Sequence, residues 1–267
     1  MSAPKKKAVV LPVKKIASFD IGVKNLAFCV MTYDSSKPSG EKFPIEAWRS
    51  MDITDKEGRS EMSCYKIKPD GVQCTNGPKI FLEDGTCFCG VHNPDRKKYK
   101  CEKQTGAKTK NLSYEKLGNM LMDRLDALSD LWKDVDHVIL EKQFNKNRQM
   151  IFLSAIIFAY FINNGQRNPE SKITSVKFVS AANKLKIYDG PPVTVPKRKN
   201  PKDTRKLTAV KHCEYFIRGD DEHTKYLKRF PKKKDDLSDC FLQGAWYLLN
   251  ECKATIRKKT KKVAAKK

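Results

Sequence analysis

Apolar residues are gathered into short, dense runs, and the spacing inside each run sets the element it predicts. Ile16–Asp20 (IASFD) is a strand-length run that closes on an acid. Residues 25–33 (NLAFCVMTY) form a second run, rich in residues that favour sheets. A tight turn containing Gly22 separates the two, which predicts a hairpin. Leu117, Leu121, Leu125, Leu128 and Trp132 recur every three or four residues and predict an amphipathic helix. Residues 135–141 (VDHVILE) predict a buried strand that also ends in an acid. Residues 148–163 are apolar on nearly all sides and predict a central helix. Residues 173–179 (ITSVKFV) alternate as a strand does. Residues 203–217 predict a helix with Asp203 as its N-cap, 218–234 a charged loop, and 236–252 a last helix carrying Leu237, Cys240, Phe241, Trp246 and Leu249.

The pattern breaks over residues 60–110, where Gly, Pro, Lys and Cys replace periodicity. This stretch reads as an insertion. The order is then strand, strand, insertion, helix, strand, helix, strand, helix, helix, which is an α/β chain with a mixed sheet. The expected organisation is a basic arm at 1–14, one domain over 15–252 interrupted by 60–110, and a basic tail at 253–267. The longest apolar run, residues 150–162, is shorter than the roughly 20 residues a membrane helix needs. The first residues lack the apolar stretch of a signal peptide. A membrane or secreted protein is therefore not expected.

Charge sharpens this picture. The chain holds 54 Lys+Arg against 31 Asp+Glu, a formal net charge of +23. The tail accounts for only part of the excess, so the body is basic too. A nucleic-acid partner is expected, with no membrane partner and no small-molecule cofactor. The chain has nine cysteines, an odd number. Five of them (Cys64, Cys74, Cys87, Cys89, Cys101) crowd into the insertion, a pattern of metal ligation rather than of a disulfide framework.

Acids stand where a sheet edge would present them. Asp20 ends the first strand and Glu141 ends the strand after the long helix. Asp236 and Asp239 lie three apart in the first turn of the last helix, so they point to one side. Converging carboxylates repel unless a cation holds them. Mg²⁺ (or Mn²⁺) takes oxygen ligands of this kind, and two such ions make a phosphodiester-cleaving centre. Each acid alone also has a structural reading. Asp20 could cap the turn before Gly22, Asp236 and Asp239 could serve the helix dipole, and Glu141 could pair with a lysine.

Three motifs in this order carry a resemblance: Ile16–Asn25 (IASFDIGVKN), Val138–Gln143 (VILEKQ) and Lys234–Asp239 (KDDLSD). They resemble the RuvC-type Holliday-junction resolvases of the ribonuclease H-like superfamily, above all those of poxviruses and other large DNA viruses. The resemblance covers about residues 15–34 and 112–252. It implies a ribonuclease H-like mixed β-sheet flanked by helices, with the small zinc-binding insertion outside the family pattern. It implies Asp20, Glu141, Asp236 and Asp239 as ligands of two Mg²⁺ ions, and a lysine near the scissile phosphate. Lys184 is the first choice for that lysine and Lys186 the second. It further implies a homodimer that cuts branched DNA.

In the insertion, Cys64, Cys74, Cys89 and His92 give C-x9-C-x14-C-x2-H, expected to hold a structural Zn²⁺, with Cys87 and Cys101 as spare candidates. Further candidates for DNA contact are Lys24, Asn145, Lys146, Arg148, Lys186, Lys232, Lys233 and Lys234. The expected function is a structure-selective endonuclease for four-way junctions, active in recombination or viral concatemer processing. The expected setting is the cytoplasm or nucleus of an infected host, ahead of a mitochondrion. A related nuclease acting on another branched or hybrid substrate is the second reading. A non-enzymatic zinc-containing nucleic-acid-binding factor is the third.

Overall fold

The computed structural model describes residues 14–55, 62–101, 112–143, 147–230 and 233–252. The basic arm (but for Lys14) and the basic tail lie outside these residues. The elements run β1 Ile16–Asp20, β2 Leu26–Met31, β3 Ile45–Met51, β4 Ile80–Phe81, β5 Cys87–Phe88, α1 Tyr114–Asp126, α2 Ser129–Trp132 and β6 His137–Glu141. Then follow α3 Arg148–Phe161, β7 Ser175–Val179, α4 Pro201–Phe216, α5 Asp221–Arg229 and α6 Lys234–Tyr247.

Five strands form one sheet in the order β3-β2-β1-β6-β7. β1 pairs antiparallel with β2, and β2 with β3. β1 pairs parallel with β6, and β6 with β7. This is the mixed β-sheet flanked by helices that was expected. β1 and β2 read as near-continuous apolar runs because helices cover both faces of the sheet. Alternation then sorts their side chains. Ala17, Phe19, Phe28, Val138 and Leu140 face a cluster completed by Leu117, Leu121, Trp132, Leu153 and Phe161 of α1 to α3. Ile16, Cys29, Met31 and Ile139 face the opposite cluster, completed by Cys213 and Phe216 of α4 and by Cys240 and Phe241 of α6. Phe19 alone meets Phe28, Trp132 and Phe161 at ring-centroid distances of 5.5–5.7 Å.

The same alternation decides where the strand-end acids go. Asp20 shares its face with Ile16 and Ser18, and Glu141 shares its face with Ile139. Both therefore stand on the α6 side. Helix α6 lies close to the sheet because residue 244 is glycine. A Cβ there would come within 2.9 Å of the Met31 sulfur and 3.2 Å of Ser18. At Gly22 a Cβ would meet the Asn25 carbonyl oxygen at 2.5 Å, so the turn after β1 closes only on glycine.

Several boundaries differ from expectation. β3 was not expected; it is the outer strand, and its mixed sequence IEAWRSM buries only Ala47, Trp48, Ser50 and Met51. The helix expected from 117 to 132 breaks at Ala127 into α1 and α2. The expected loop 218–234 contains α5, capped by Asp220, whose side chain accepts from the His223 amide. Asn200, not Asp203, caps α4, because Pro201 takes the first turn and moves the start back. Helix α6 begins at Lys234 and gives way to a π-helical turn over Leu248–Cys252.

Candidate active site

Four structural elements bring the candidate residues together. Asp20 and Glu141 end adjacent parallel strands, one residue past the Phe19–Leu140 pair. After β7, Ser180 caps a 3₁₀ helix, Ala181–Ile187, with its side chain accepting from the Ala182 amide. That helix carries Lys184 inward. Asp239 lies on the first turns of α6. Lys184 Nζ is 2.7 Å from Glu141 and 2.9 Å from Asp239, and its side chain is only 7% exposed. Lys186, in contrast, is exposed and donates to Asn183 Oδ1 at 2.9 Å.

The electrostatics follow from one cation among several buried acids. Burial pushes Asp20 well above the carboxylate range; Lys184 opposes this, while Glu141 and Asp239 add to it. Asp239 is raised for the same reasons, burial first. Burial would raise Glu141 too, but the hydrogen bond from Asp20 and the ammonium of Lys184 hold it below its usual value. Within this pair Asp20 is thus pushed up and Glu141 held down. Burial would lower Lys184, yet Asp20, Asp239 and Glu141 together raise it. Asp236 sits to one side. Burial and the adjacent Asp235 push it up to about 6, against the pull of Lys206.

The carboxylate donors are all hard oxygen, and burial pushes Asp20, Asp236 and Asp239 toward their neutral forms for want of positive charge. Both properties fit divalent cations such as Mg²⁺. The structural reading of Glu141 as a lysine partner also holds, since the pair with Lys184 exists inside this same cluster.

Two further side chains join the cluster without a signal in the motifs used. Lys206 of α4 pairs with Asp235 at 2.5 Å, which gives the extra acid beside Asp236 a partner. Gln243 is buried, and its amide nitrogen donates to Ser18 Oγ and to the Phe19 carbonyl, each at 3.2 Å. It ties α6 to the strand that ends in Asp20. It follows Asp239 by four residues, so it lies on the same helical face, and that spacing was readable.

The remaining candidates are more scattered. Lys24, in the turn after β1, and Arg148, opening α3, are exposed. Lys233 Nζ donates to the Ser50 carbonyl at 3.2 Å, and Lys234 Nζ lies 3.6 Å from Glu214. Asn145, Lys146 and Lys232 lie outside the described residues. Among the other histidines, His137 bonds to the Tyr247 hydroxyl and His223 to Asp220. Cys29, Cys213 and Cys240 are core residues, fully buried.

A second cluster lies in the insertion. The ligand atoms of Cys64, Cys74, Cys89 and His92 all fall within 4.8 Å of one another. His92 Nδ1 is 3.5 Å from Cys64 Sγ and 3.4 Å from Cys89 Sγ. A tetrahedral metal with bonds of about 2.0–2.3 Å needs edges of about 3.3–3.8 Å, so the four donors fit zinc. Cys87 instead donates to the Ser63 carbonyl at 3.4 Å, and Cys101 is exposed. Arg229 of α5 donates from Nε to Ser63 Oγ at 2.7 Å and fastens this segment to the core.

Residues 16–146 match the family described as mitochondrial resolvase Ydc2 / RNA splicing MRS1. Two viral proteins resemble more of the chain. Uncharacterized protein L451 of Acanthamoeba polyphaga mimivirus is 25% identical, covering 88% of this chain and 74% of its own length. Uncharacterized protein 97L of Invertebrate iridescent virus 3 is 26% identical, covering 86% of this chain and 98% of its own. Among solved structures, the yeast mitochondrial Holliday junction resolvase Ydc2 aligns with a TM-score of 0.49 at 13% identity, covering 90% of this chain and 81% of that one. The family match takes in Asp20 and Glu141 but stops before Lys184 and α6. Among the described residues no helix is long and apolar enough to cross a membrane.

Proposed function

We propose that this chain is a structure-selective endonuclease that resolves four-way DNA junctions, and that Asp20, Glu141, Asp236 and Asp239 form its metal-binding catalytic centre. The observation that carries the reading is the convergence of Asp20, Glu141 and Asp239 around the buried Lys184, in a chain whose residues 16–146 match a resolvase family. Two Mg²⁺ or Mn²⁺ ions, once bound, would supply an activated water and neutralise charge on the phosphate. The rest is work for the chain itself. Asp20 would have to be ionised to hold a cation, and Gln243 keeps its strand fixed to α6. Lys184, relieved of part of its carboxylate company, turns toward the phosphate and offsets charge on its oxygens.

Lys24, Arg148, Lys186, Lys233 and Lys234, with Asn145, Lys146 and Lys232, hold the sugar-phosphate backbone on either side. Recognition then rests on branch shape and phosphates rather than on base edges. Cys64, Cys74, Cys89 and His92 hold one structural zinc. The chain acts as one nuclease domain over 15–252, interrupted by the zinc segment and extended by basic ends that contact DNA.

A homodimer fits the task, since two strands related by a two-fold must be nicked. The exposed apolar side of α3 (Ile151, Ala155, Ala159) with Phe178, 44% exposed on the outer strand β7, offers a surface for it. The viral relatives support a viral protein, and its proposed setting is the cytoplasm or nucleus of the infected cell. The RNA-splicing protein in the family description favours a second reading, a factor that binds structured nucleic acid without cutting it.

Cleavage of a synthetic four-way junction in Mg²⁺ separates the two. The wild type should nick it, and Asp20→Asn should lose at least a thousandfold in rate. Undiminished cutting by Asp20→Asn would remove the catalytic assignment. Tight binding by the wild type without cutting would favour the second reading.

A further inference from the structure

Away from the carboxylates, the zinc segment and the core enclose a cleft of about 830 Å³. β3 contributes Trp48 and Arg49, α5 contributes Lys225, Lys228 and Arg229, and the zinc segment contributes Val72. The lining also holds two acids. Glu46 is already neutralised by an ion pair with Lys15, which leaves Glu222. Arg229 is committed to Ser63. Arg49, Lys225 and Lys228 are exposed, and among the described residues none of them forms an ion pair. Three unpaired cations around one concave space repel one another until an anion enters. The space is far larger than a single phosphate, so an extended polyanion suits it better than an ion.

The opposite wall comes from the zinc segment, where Val72 is flanked by Gly71, Gln73 and Thr75. Val72 is 54% exposed and belongs to a hairpin closed by the Ile67–Gln73 bridge, with Cys64 and Cys74 at its base. Tyr65 and Ile67 of the same hairpin are 51% and 54% exposed. Cations on one side, with an exposed valine beside an amide and a hydroxyl on the other, suit a nucleic-acid strand, which offers phosphates along one edge and sugar and base faces along the other. The cleft also touches the catalytic helix. Trp48 Nε1 donates to the Leu237 carbonyl at 3.0 Å, between Asp236 and Asp239 in the chain.

We propose that this cleft is a second DNA-binding site, which grips the backbone of one junction arm on Arg49, Lys225 and Lys228 with the zinc hairpin as its fixed wall. The inference rests on the junction-resolvase reading. The zinc then does more than fold a loop: it holds one wall of a DNA clamp.

The test measures affinity of the full-length, zinc-loaded protein for a synthetic four-way junction, with no added Mg²⁺, across a salt series. Each phosphate contact contributes about 0.9 to the slope of log affinity against log salt. The triple variant Arg49→Ala/Lys225→Ala/Lys228→Ala should flatten that slope by about 3 and weaken binding at least tenfold near physiological salt. Val72→Glu, a single change at an exposed position, should weaken binding in the same direction. Junction affinity and slope unchanged in both variants would overturn the proposal and leave the cleft to a protein partner. Wild-type cutting, measured alongside, tells the two claims apart. If the wild type binds and cuts while both variants bind as tightly, only the cleft fails. If the wild type neither binds nor cuts, both readings fail.

Discussion

The sheet and the zinc segment solve the same problem by different means. The sheet buries Phe19, Phe28, Phe161 and Trp132 on one face and Phe216, Phe241 and Tyr247 on the other. The segment over residues 62–101 has a cluster of only Cys64, Cys74 and Cys89, with Phe88 packed against it. A core of that size cannot offset the conformational entropy of about forty ordered residues, which costs on the order of 1–2 kcal/mol each. Donor atoms at tetrahedral spacing must make up the difference. The contrast teaches that one region is held by area removed from water while the other, on the proposed zinc reading, would be held by coordination bonds, the two being joined by contacts such as the Arg229–Ser63 hydrogen bond.

The largest expected effect breaks the zinc side of this comparison. Structural zinc contributes on the order of 10 kcal/mol in small modules. Chelation should therefore raise amide exchange across 62–101 to the unfolded level while β1, β2 and β6 stay protected. Protection of 62–101 that survives complete zinc removal would show an apolar core doing the job instead. The next effect breaks the other side. Phe241→Ala should cost about 3–5 kcal/mol in urea unfolding and spread through the sheet, with zinc still bound. A loss below 1 kcal/mol would mean the α4–α6 cluster is not a true core.

The smallest effect concerns the acids that the core holds at its edge. Asp236 is raised to about 6 by burial and Asp235, against an ordinary value of 3.8. A carboxylate raised in the folded state contributes stability at low pH that is lost as pH climbs through its folded pKa. Without metal, Asp236→Asn should match the wild type below pH 4 and be more stable at pH 8. The gain should be about 1 kcal/mol after discounting for the water that still reaches the group. A variant that is less stable at pH 8 would contradict the sign. The same logic predicts that cutting strengthens as pH rises, because Asp20, Asp236 and Asp239 must ionise to hold cations.

What was legible in the sequence follows the same division. β1, β2 and β6 could be read because burial on both faces leaves unbroken apolar runs, and the outer strand β7 because its residues alternate. The acids at the ends of β1 and β6 could be read because strand ends are where alternation meets the loop. β3 was missed because an outer strand with exposed Glu46 and Arg49 shows no clean alternation. Helix α5 was missed because DEHTKYLKR buries only Leu227, too little to leave a stripe. Lys184 could be placed by motif position, but its ion pairs with both Glu141 and Asp239 depend on how β6, the 3₁₀ helix and α6 meet. The zinc donors were legible as spacing. The cleft behind them was not, since Arg49, Val72 and Lys225 come from three separate stretches of chain.

The central claim is that separated acids share two cations. Crystals soaked in Mn²⁺ test it by anomalous scattering. The account predicts two manganese peaks about 3.5–4 Å apart among Asp20, Glu141, Asp236 and Asp239, with zinc alone among Cys64, Cys74, Cys89 and His92. Manganese elsewhere, or none at the carboxylates, with Lys184 still bridging Glu141 and Asp239, would contradict it.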